Sequence, residues 1–365
     1  MGFSCGIVGL PNVGKSTIFR ALTSADVTIE PYAFSTITPN IGVADVPDVR
    51  LEHIALSIKP DSIVKTTLNF VDVAGLVEGA SLGEGMGNQF LSHIRDVDVI
   101  AHVVRCFQDE NIPHITPELN PLKDIEVIEL ELILKDLDTI DKRIDKLQKA
   151  SKSGNKEALR NLDILERIRI ELNEGTPVSS LRLEEPEHAF LDQLYLLSAK
   201  PQFFVANIGE EQLKTDDDPL LEQVSEAAIA RGIPFISLCS KLEAEILDLP
   251  SEERHLFSEE MGIVESGLEI LVSVGYELLE LITFFTTQSN EVKAWTVTDG
   301  TSAAEAAGKI HSDIQSGFIK ADIIKYEDLI DFQSESAVRD KGLVMTVGKE
   351  HFVEDGDIIH FKFRS

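Results

Sequence analysis

Between residues 3 and 107 the chain alternates short continuous apolar runs with polar, glycine-bearing connections. Gly6–Val8, Leu68–Val71 and Val99–Val104 read as strands buried on both faces, the pattern of a parallel sheet in an α/β domain. The period changes after 130. Leu130, Ile133, Leu137, Ile140, Ile144 and Leu147 recur at alternating three- and four-residue steps, a heptad seam along one helix. Ser151-Lys152-Ser153-Gly154-Asn155 interrupts it, and Leu162, Leu165, Ile168 and Leu172 line one side of a second helix. Two amphipathic helices joined by a short polar turn predict an antiparallel, coiled-coil-like hairpin. Strand-like text resumes at Gln202–Ala206 and Ile233–Leu238, so the hairpin is inserted into the α/β domain. From about 283 the pattern shortens again. Val292–Val297 reads as a strand, Ser302–Gln315 as a helix and Phe318–Ile324 as a strand. A short acidic helix and two closing strands, Gly342–Val347 and Asp357–Phe363, follow. This last module fits a β-grasp. The expected domains are 1–128 with 201–282, the hairpin 129–200, and 283–365.

One connection carries chemistry. Residues 9–16, Gly-Leu-Pro-Asn-Val-Gly-Lys-Ser, match G-x-x-x-x-G-K-[ST] between the first strand and the helical Thr17–Leu22. Glycines let successive backbone N–H groups turn toward an anion at a helix N-terminus, where the helix dipole adds to the attraction. Asn12, Val13, Gly14, Lys15, Ser16 and Thr17 are the expected phosphate contacts, with Lys15 reaching the β/γ oxygens and Ser16 ligating Mg²⁺. Asp72-Val73-Ala74-Gly75 follows the strand Leu68–Val71 and matches D-x-x-G. There Asp72 would support Mg²⁺ through its bound water and the Gly75 N–H would meet the γ-phosphate. The second side-chain metal ligand belongs in the intervening segment at Thr36, with Ser35 and Thr38 as alternatives. These features predict a protein that binds a nucleoside triphosphate.

The base-reading position departs from the GTPase pattern. Asn207-Ile208-Gly209-Glu210 stands where Asn-Lys-x-Asp reads guanine, with Ile208 for Lys and Glu210 for Asp. The longer Glu side chain displaces the carboxylate that would accept guanine's two donors, and a site that loses such a pairing loses its discrimination. Adenine becomes the expected base. Cys239-Ser240-Lys241 stands where a final base-contacting loop would lie, with Ser240 the chosen contact.

Charge narrows the choice of partners. The chain of 365 residues carries a net charge of −30, which repels nucleic acid as a whole. Residues 142–169 are the exception, with nine basic side chains against four acidic, clustered toward the hairpin tip. A solvated helix surface and an RNA-binding patch both fit that run. Three scattered cysteines suit neither a disulfide framework nor a zinc site, so a reducing, cytoplasmic setting is expected. No apolar run reaches membrane-spanning length, so no membrane partner is expected. The opening residues lack a signal peptide's basic start.

The P-loop, Phe34–Asn40, the run Asp72–Ala80 continuing to Gly87-Asn88-Gln89-Phe90-Leu91, and Asn207–Glu210 together resemble the YchF / Obg-like ATPase family, a branch of the Obg-related GTPases. Ala306-Ala307-Gly308-Lys309-Ile310-His311 and Glu354-Asp355-Gly356-Asp357 resemble that family's TGS domain. The resemblance spans essentially the whole chain. It implies an α/β P-loop NTPase G domain with an inserted helical hairpin and a C-terminal β-grasp (TGS) domain. It also implies ATP preferred over GTP, dependence on Mg²⁺, and association with ribosomes. From its charge the 142–169 hairpin is the expected RNA contact, together with the TGS domain, and the protein is expected to be a monomer. Leu76 replaces the water-orienting Gln of Ras-like proteins, and the resemblance assigns that catalytic role to His114 beside Lys15. A GTP-specific switch, a P-loop small-molecule kinase and a binding module with incidental turnover are the competing classes. No Arg-rich lid suited to the kinase is found.

Overall fold

The computed structural model describes residues 3–23, 40–73, 93–113, 119–152, 155–215, 217–261, 263, 265–288 and 290–364. The chain forms two units, Met1–Val43 with Asn69–Leu271, and Ala44–Leu68 with Val272–Ser365.

The first unit is built on strands β1 (Ser4–Val8), β2 (Asn40–Asp45), β4 (Thr67–Asp72), β5 (Val99–Arg105), β6 (Gln202–Asn207) and β7 (Phe235–Leu238). Their order is β2-β4-β1-β5-β6-β7. β1 runs parallel to both β4 and β5, with Cys5 opposite Phe70 on one side and Val99 on the other. β5–β6 and β6–β7 are also parallel. All of β5 and β6 is buried, which explains their unbroken apolar text. Phe204, Ala206 and Ile208 pack with Val224, Ala228, Leu242 and Ile246 of the flanking helices Pro219–Arg231 and Ser240–Asp248.

The two long helices of this unit run Pro121–Ser151 and Lys156–Asn173. Asn120 caps the first by accepting from the Lys123 N–H at 3.1 Å, and Pro121 fits the first turn, where no N–H is needed. Asn155 caps the second through Glu157 and Ala158. Ile133, Ile140 and Ile144 meet Ile164, Leu165, Ile168 and Leu172 in a shared core. Leu130, expected to open the seam, is 52% exposed, because Ile125 and Ile128 are the buried residues of the preceding turns. The buried carboxylate of Asp136 accepts from the Leu197 and Ser198 N–H groups at 2.8 and 2.7 Å, fixing this helix to the approach to β6.

The second unit holds β3 (Ser62–Val64), β8 (Leu281–Thr286), β9 (Glu291–Thr298), β10 (Phe318–Ile324), β11 (Met345–Val347) and β12 (Ile358–Phe363), ordered β11-β10-β12-β8-β9-β3. On one face Phe284, Val297, Ala321, Ile323 and Ile359 pack with Ala306 and Ala307 of the helix Ala303–Ile310. On the other, Phe285, Val292, Ala294, Ile324 and Ile358 pack with Leu51 and Ile54 of the helix Val49–Ile58. The expected helix Ser302–Gln315 breaks where His311 is extended, and Gly342–Val347 contracts to Met345–Val347. The expected domain 1–128 includes 44–68, which the structure divides. In the structure its ends complete β2 and β4, while Val49–Ile58 and Ser62–Val64 supply a covering helix and an edge strand to the other sheet, through partners too distant in sequence for local periodicity to reveal. Among the described residues no helix is long and apolar enough to cross a membrane.

Ile54 is fully buried in this second core. Ile54→Ala should cost about 2–5 kcal/mol and lower the unfolding midpoint read by the fluorescence of Trp295, the single tryptophan, which lies in β9. An unchanged Trp295 midpoint would show that 44–68 is not part of that unit's cooperative core.

Candidate functional site

β1 ends at Val8, and the chain turns through 9–14 into the helix Lys15–Thr23. The turn uses left-handed backbone at Asn12 (φ 63°) and Gly14 (φ 102°). A Cβ on Gly14 would lie 2.1 Å from Asn207 Nδ2, so glycine is required by contact as well as by dihedral. The Thr17 and Ile18 N–H groups both donate to the Gly14 carbonyl, closing the first helical turn. Asn12 Nδ2 donates to the Pro113 carbonyl at 3.1 Å, which brings the end of the loop after β5 to the glycine-rich turn.

Lys15 is 6% exposed and its ammonium donates to the Leu10 carbonyl at 2.7 Å, so the charge is held within the turn. Burial lowers its pKa to about 8, against the pull of the Asp72 carboxylate. Burial raises Asp72 in turn, opposed by the Lys15 charge and by a hydrogen bond from Asn40.

Asn207 closes the site from the other side. Its Nδ2 donates to the Val13 carbonyl at 2.8 Å and its Oδ1 accepts from the Ser240 N–H at 3.0 Å, all buried. Beyond it, Ile208 is turned into the core and Glu210 Oε1 accepts from Lys241 Nζ at 2.7 Å. A cavity of about 1080 Å³ runs along these groups. Of the residues expected to bind nucleotide, it brings together Asn12, Gly14, Lys15, Ser16, Thr17, Asn207, Ile208, Glu210 and Ser240. The Val13 side chain is buried, and this residue offers only backbone. Thr36, Gly75 and His114 lie outside the described residues. Pro113, which Asn12 holds, directly precedes His114.

The Ser16 hydroxyl is exposed at the cavity and makes no side-chain hydrogen bond among the described residues. The Ser16 hydroxyl, and the Asp72 carboxylate within electrostatic reach of Lys15, are hard oxygen groups of the kind that suits Mg²⁺, which usually takes few protein ligands beside substrate phosphates. No histidine lines the cavity among the described residues. His102, in β5, is buried against Phe204, and burial lowers its pKa to about 3.

Three contributors escaped the sequence reading. Arg105 donates to the carbonyls of Phe107 and Ile112 at 3.1 and 3.0 Å and stacks on the Phe107 ring, shaping the loop that ends at Pro113. Gln212 bonds Gly209, Cys106 and Asp218 around the cavity. Asp218 also caps the helix Pro219–Arg231. Only the Asp218-Pro219 pair, a cap followed by proline, carried a readable signal.

The hairpin charge is also more concentrated than expected. Lys142 pairs with Asp138, Arg167 with Glu187 and Arg169 with Asp141. Arg143 is half-buried, with its Nε atom enclosed. Lys146, Lys149, Lys152 and Lys156 stay exposed toward the tip and form no ion pair among the described residues.

Residues 4–149 match the family described as "50S ribosome-binding GTPase", and 281–364 match the YchF-GTPase C-terminal family, described as "Protein of unknown function". Over its full length the chain is 45% identical to the "Ribosome-binding ATPase YchF" of Escherichia coli O157:H7, covering 99% of that protein. It is 44% identical to the protein of that name from Bacillus subtilis, covering all of it. The solved "Structure of the Schizosaccharomyces pombe YchF GTPase" is 34% identical, with a TM-score of 0.88 over 99% of this chain and 98% of that one.

With Lys15 at about 8 before binding, a phosphate ligand that favours the ammonium raises its pKa and takes up a proton. Affinity for a nucleoside triphosphate should therefore hold steady below about pH 7 and fall as pH rises through 8. Calorimetric titration in buffers of different ionisation enthalpy at pH 8 should register proton uptake. Pure buffer-independent heat would contradict the assignment.

Proposed function

We infer the function from one premise: the chain belongs to the YchF family. It is a P-loop nucleoside triphosphatase that binds and hydrolyses ATP and acts as a nucleotide-dependent switch associated with the ribosome. The observation that carries the choice of ATP is at the base end of the cavity. There Ile208 is committed to the core and the Glu210 carboxylate is engaged by Lys241, so the paired acceptor that guanine needs is not presented.

In this reading the backbone of 12–17 and the Lys15 ammonium hold the β- and γ-phosphates, and the Gly75 N–H reports the γ-phosphate to the segment after it. Ser16 and Thr36 would ligate Mg²⁺, with Asp72 acting through water. The metal would offset charge on the phosphate oxygens. Lys15 is already desolvated, which strengthens its pull on charge developing at the transferred phosphoryl group. His114 would orient the attacking water, a role supported by Leu76 offering no polar group and by Asn12 drawing Pro113 to the phosphate loop. Asn207 and the 208–210 turn would enclose the base. The partner is a ribosome, contacted by the lysines of the hairpin tip and by the C-terminal β-grasp domain, for a monomeric cytoplasmic protein.

His114→Ala should leave ATP affinity near wild type and slow single-turnover hydrolysis by roughly 10²–10⁴-fold, the usual worth of a positioned proton-transfer group. Lys15→Ala should instead abolish productive binding. An unchanged hydrolysis rate in His114→Ala would move the role to another group.

Charge reversal of Lys146, Lys149 and Lys156 to Glu should weaken ribosome co-sedimentation and flatten its dependence on salt, since fewer phosphates are contacted. ATP turnover of the isolated protein should not change. Co-sedimentation that survives this reversal at physiological salt would assign the contact to the C-terminal domain.

A further inference from the structure

We propose that Gln212 is a positioning residue for base recognition, its side-chain amide fixing the turn 207–210 in the orientation that reads adenine. The inference rests on the ATP reading above and adds to it a residue whose side-chain amide is engaged by three protein groups. Gln212 lies one turn beyond Gly209, in the short helix Glu210–Lys214. Its Oε1 accepts from the Gly209 N–H at 2.6 Å. Its Nε2 donates to the Cys106 carbonyl at 2.9 Å and to Asp218 Oδ2 at 2.8 Å.

These three partners demand one acceptor and two donors from a single side chain. A carboxylate would meet the Gly209 N–H but repel the other two oxygens, and a hydrocarbon would leave all three unpaired. An amide satisfies them together. The contact joins the end of β5, the base-side turn and the cap of the helix Pro219–Arg231, and Cys106, Gly209, Gln212 and Asp218 all line the cavity.

The consequence follows from peptide geometry. In a trans peptide the N–H of one residue and the C=O of the residue before it point in opposite directions. Holding the Gly209 N–H on Gln212 therefore sets the Ile208 carbonyl on the opposite edge of that peptide. Adenine presents an amino donor where guanine presents a carbonyl oxygen, so a carbonyl fixed at the base edge accepts from one and repels the other. Release of the Gly209 N–H frees the peptide to rotate, and the discrimination weakens.

The test uses full-length Gln212→Met, which keeps length and packing without hydrogen bonds, alongside Gln212→Ala. The ATP Kd should rise roughly tenfold, the scale of one well-made hydrogen bond. The GTP Kd should change less, so the ATP:GTP ratio narrows, while turnover at saturating ATP stays within about twofold because the phosphate loop is untouched. In nucleotide-free protein the Gly209 amide should exchange faster with solvent. A wild-type ATP:GTP ratio or unchanged Gly209 exchange in Gln212→Met would overturn the proposal. So would equal weakening of both nucleotides with a lowered unfolding midpoint, which would mark a packing role. Wild-type preference for GTP would sink the ATP reading alone, and Gly209 exchange would still judge the clamp.

Discussion

The buried amide of Asn207 is the joint on which the site is assembled. It bridges the Val13 carbonyl and the Ser240 N–H, so that the loop after β1 and the loop after β7 meet at the end of β6. Neither partner can turn to water, and each would cost about 1–3 kcal/mol if left unpaired in the interior. The closeness of that joint explains why Gly14 has no room for a side chain. It also sets the distance between the glycine-rich turn and the 208–210 turn, since each lies one residue away from the same amide or its partner.

Around this joint the charges are arranged by access to water. Lys15 is desolvated and close to Asp72, so its charge is available to a ligand. Lys241 is exposed and neutralises Glu210 at the opposite end. Lysines at the hairpin tip stand in solvent, where long-range attraction is screened by salt within about 10 Å. In a chain with a net charge of −30 these lysines thus stand in three settings that differ in access to water.

Legibility in the sequence followed contiguity. The phosphate loop was readable because strand, turn and helix are adjacent and each residue type has a local reason. The hairpin was readable from periodicity, though Leu130 shows that a heptad seam says which side is apolar and not where burial begins. Asn207 and Glu210 were visible as a departure from a known spacing. Gln212 and Arg105 were not, because their roles come from carbonyls and amides that the fold brings to them. The stretch 44–68 looked like an ordinary connection, since its partners lie beyond 280.

That stretch also imposes an order on synthesis. Ser62 in β3 pairs with Glu291 in β9, a residue 229 positions later. At roughly 5–20 residues per second, the ribosome releases the helix Val49–Ile58 and β3 on the order of ten seconds or more before their sheet exists. Leu51 and Ile54 must wait as an uncovered apolar face on the nascent chain while the intervening nucleotide-binding core is made. The second unit closes only when β12 has been made, and until then Leu51 and Ile54 lack the sheet face that they cover.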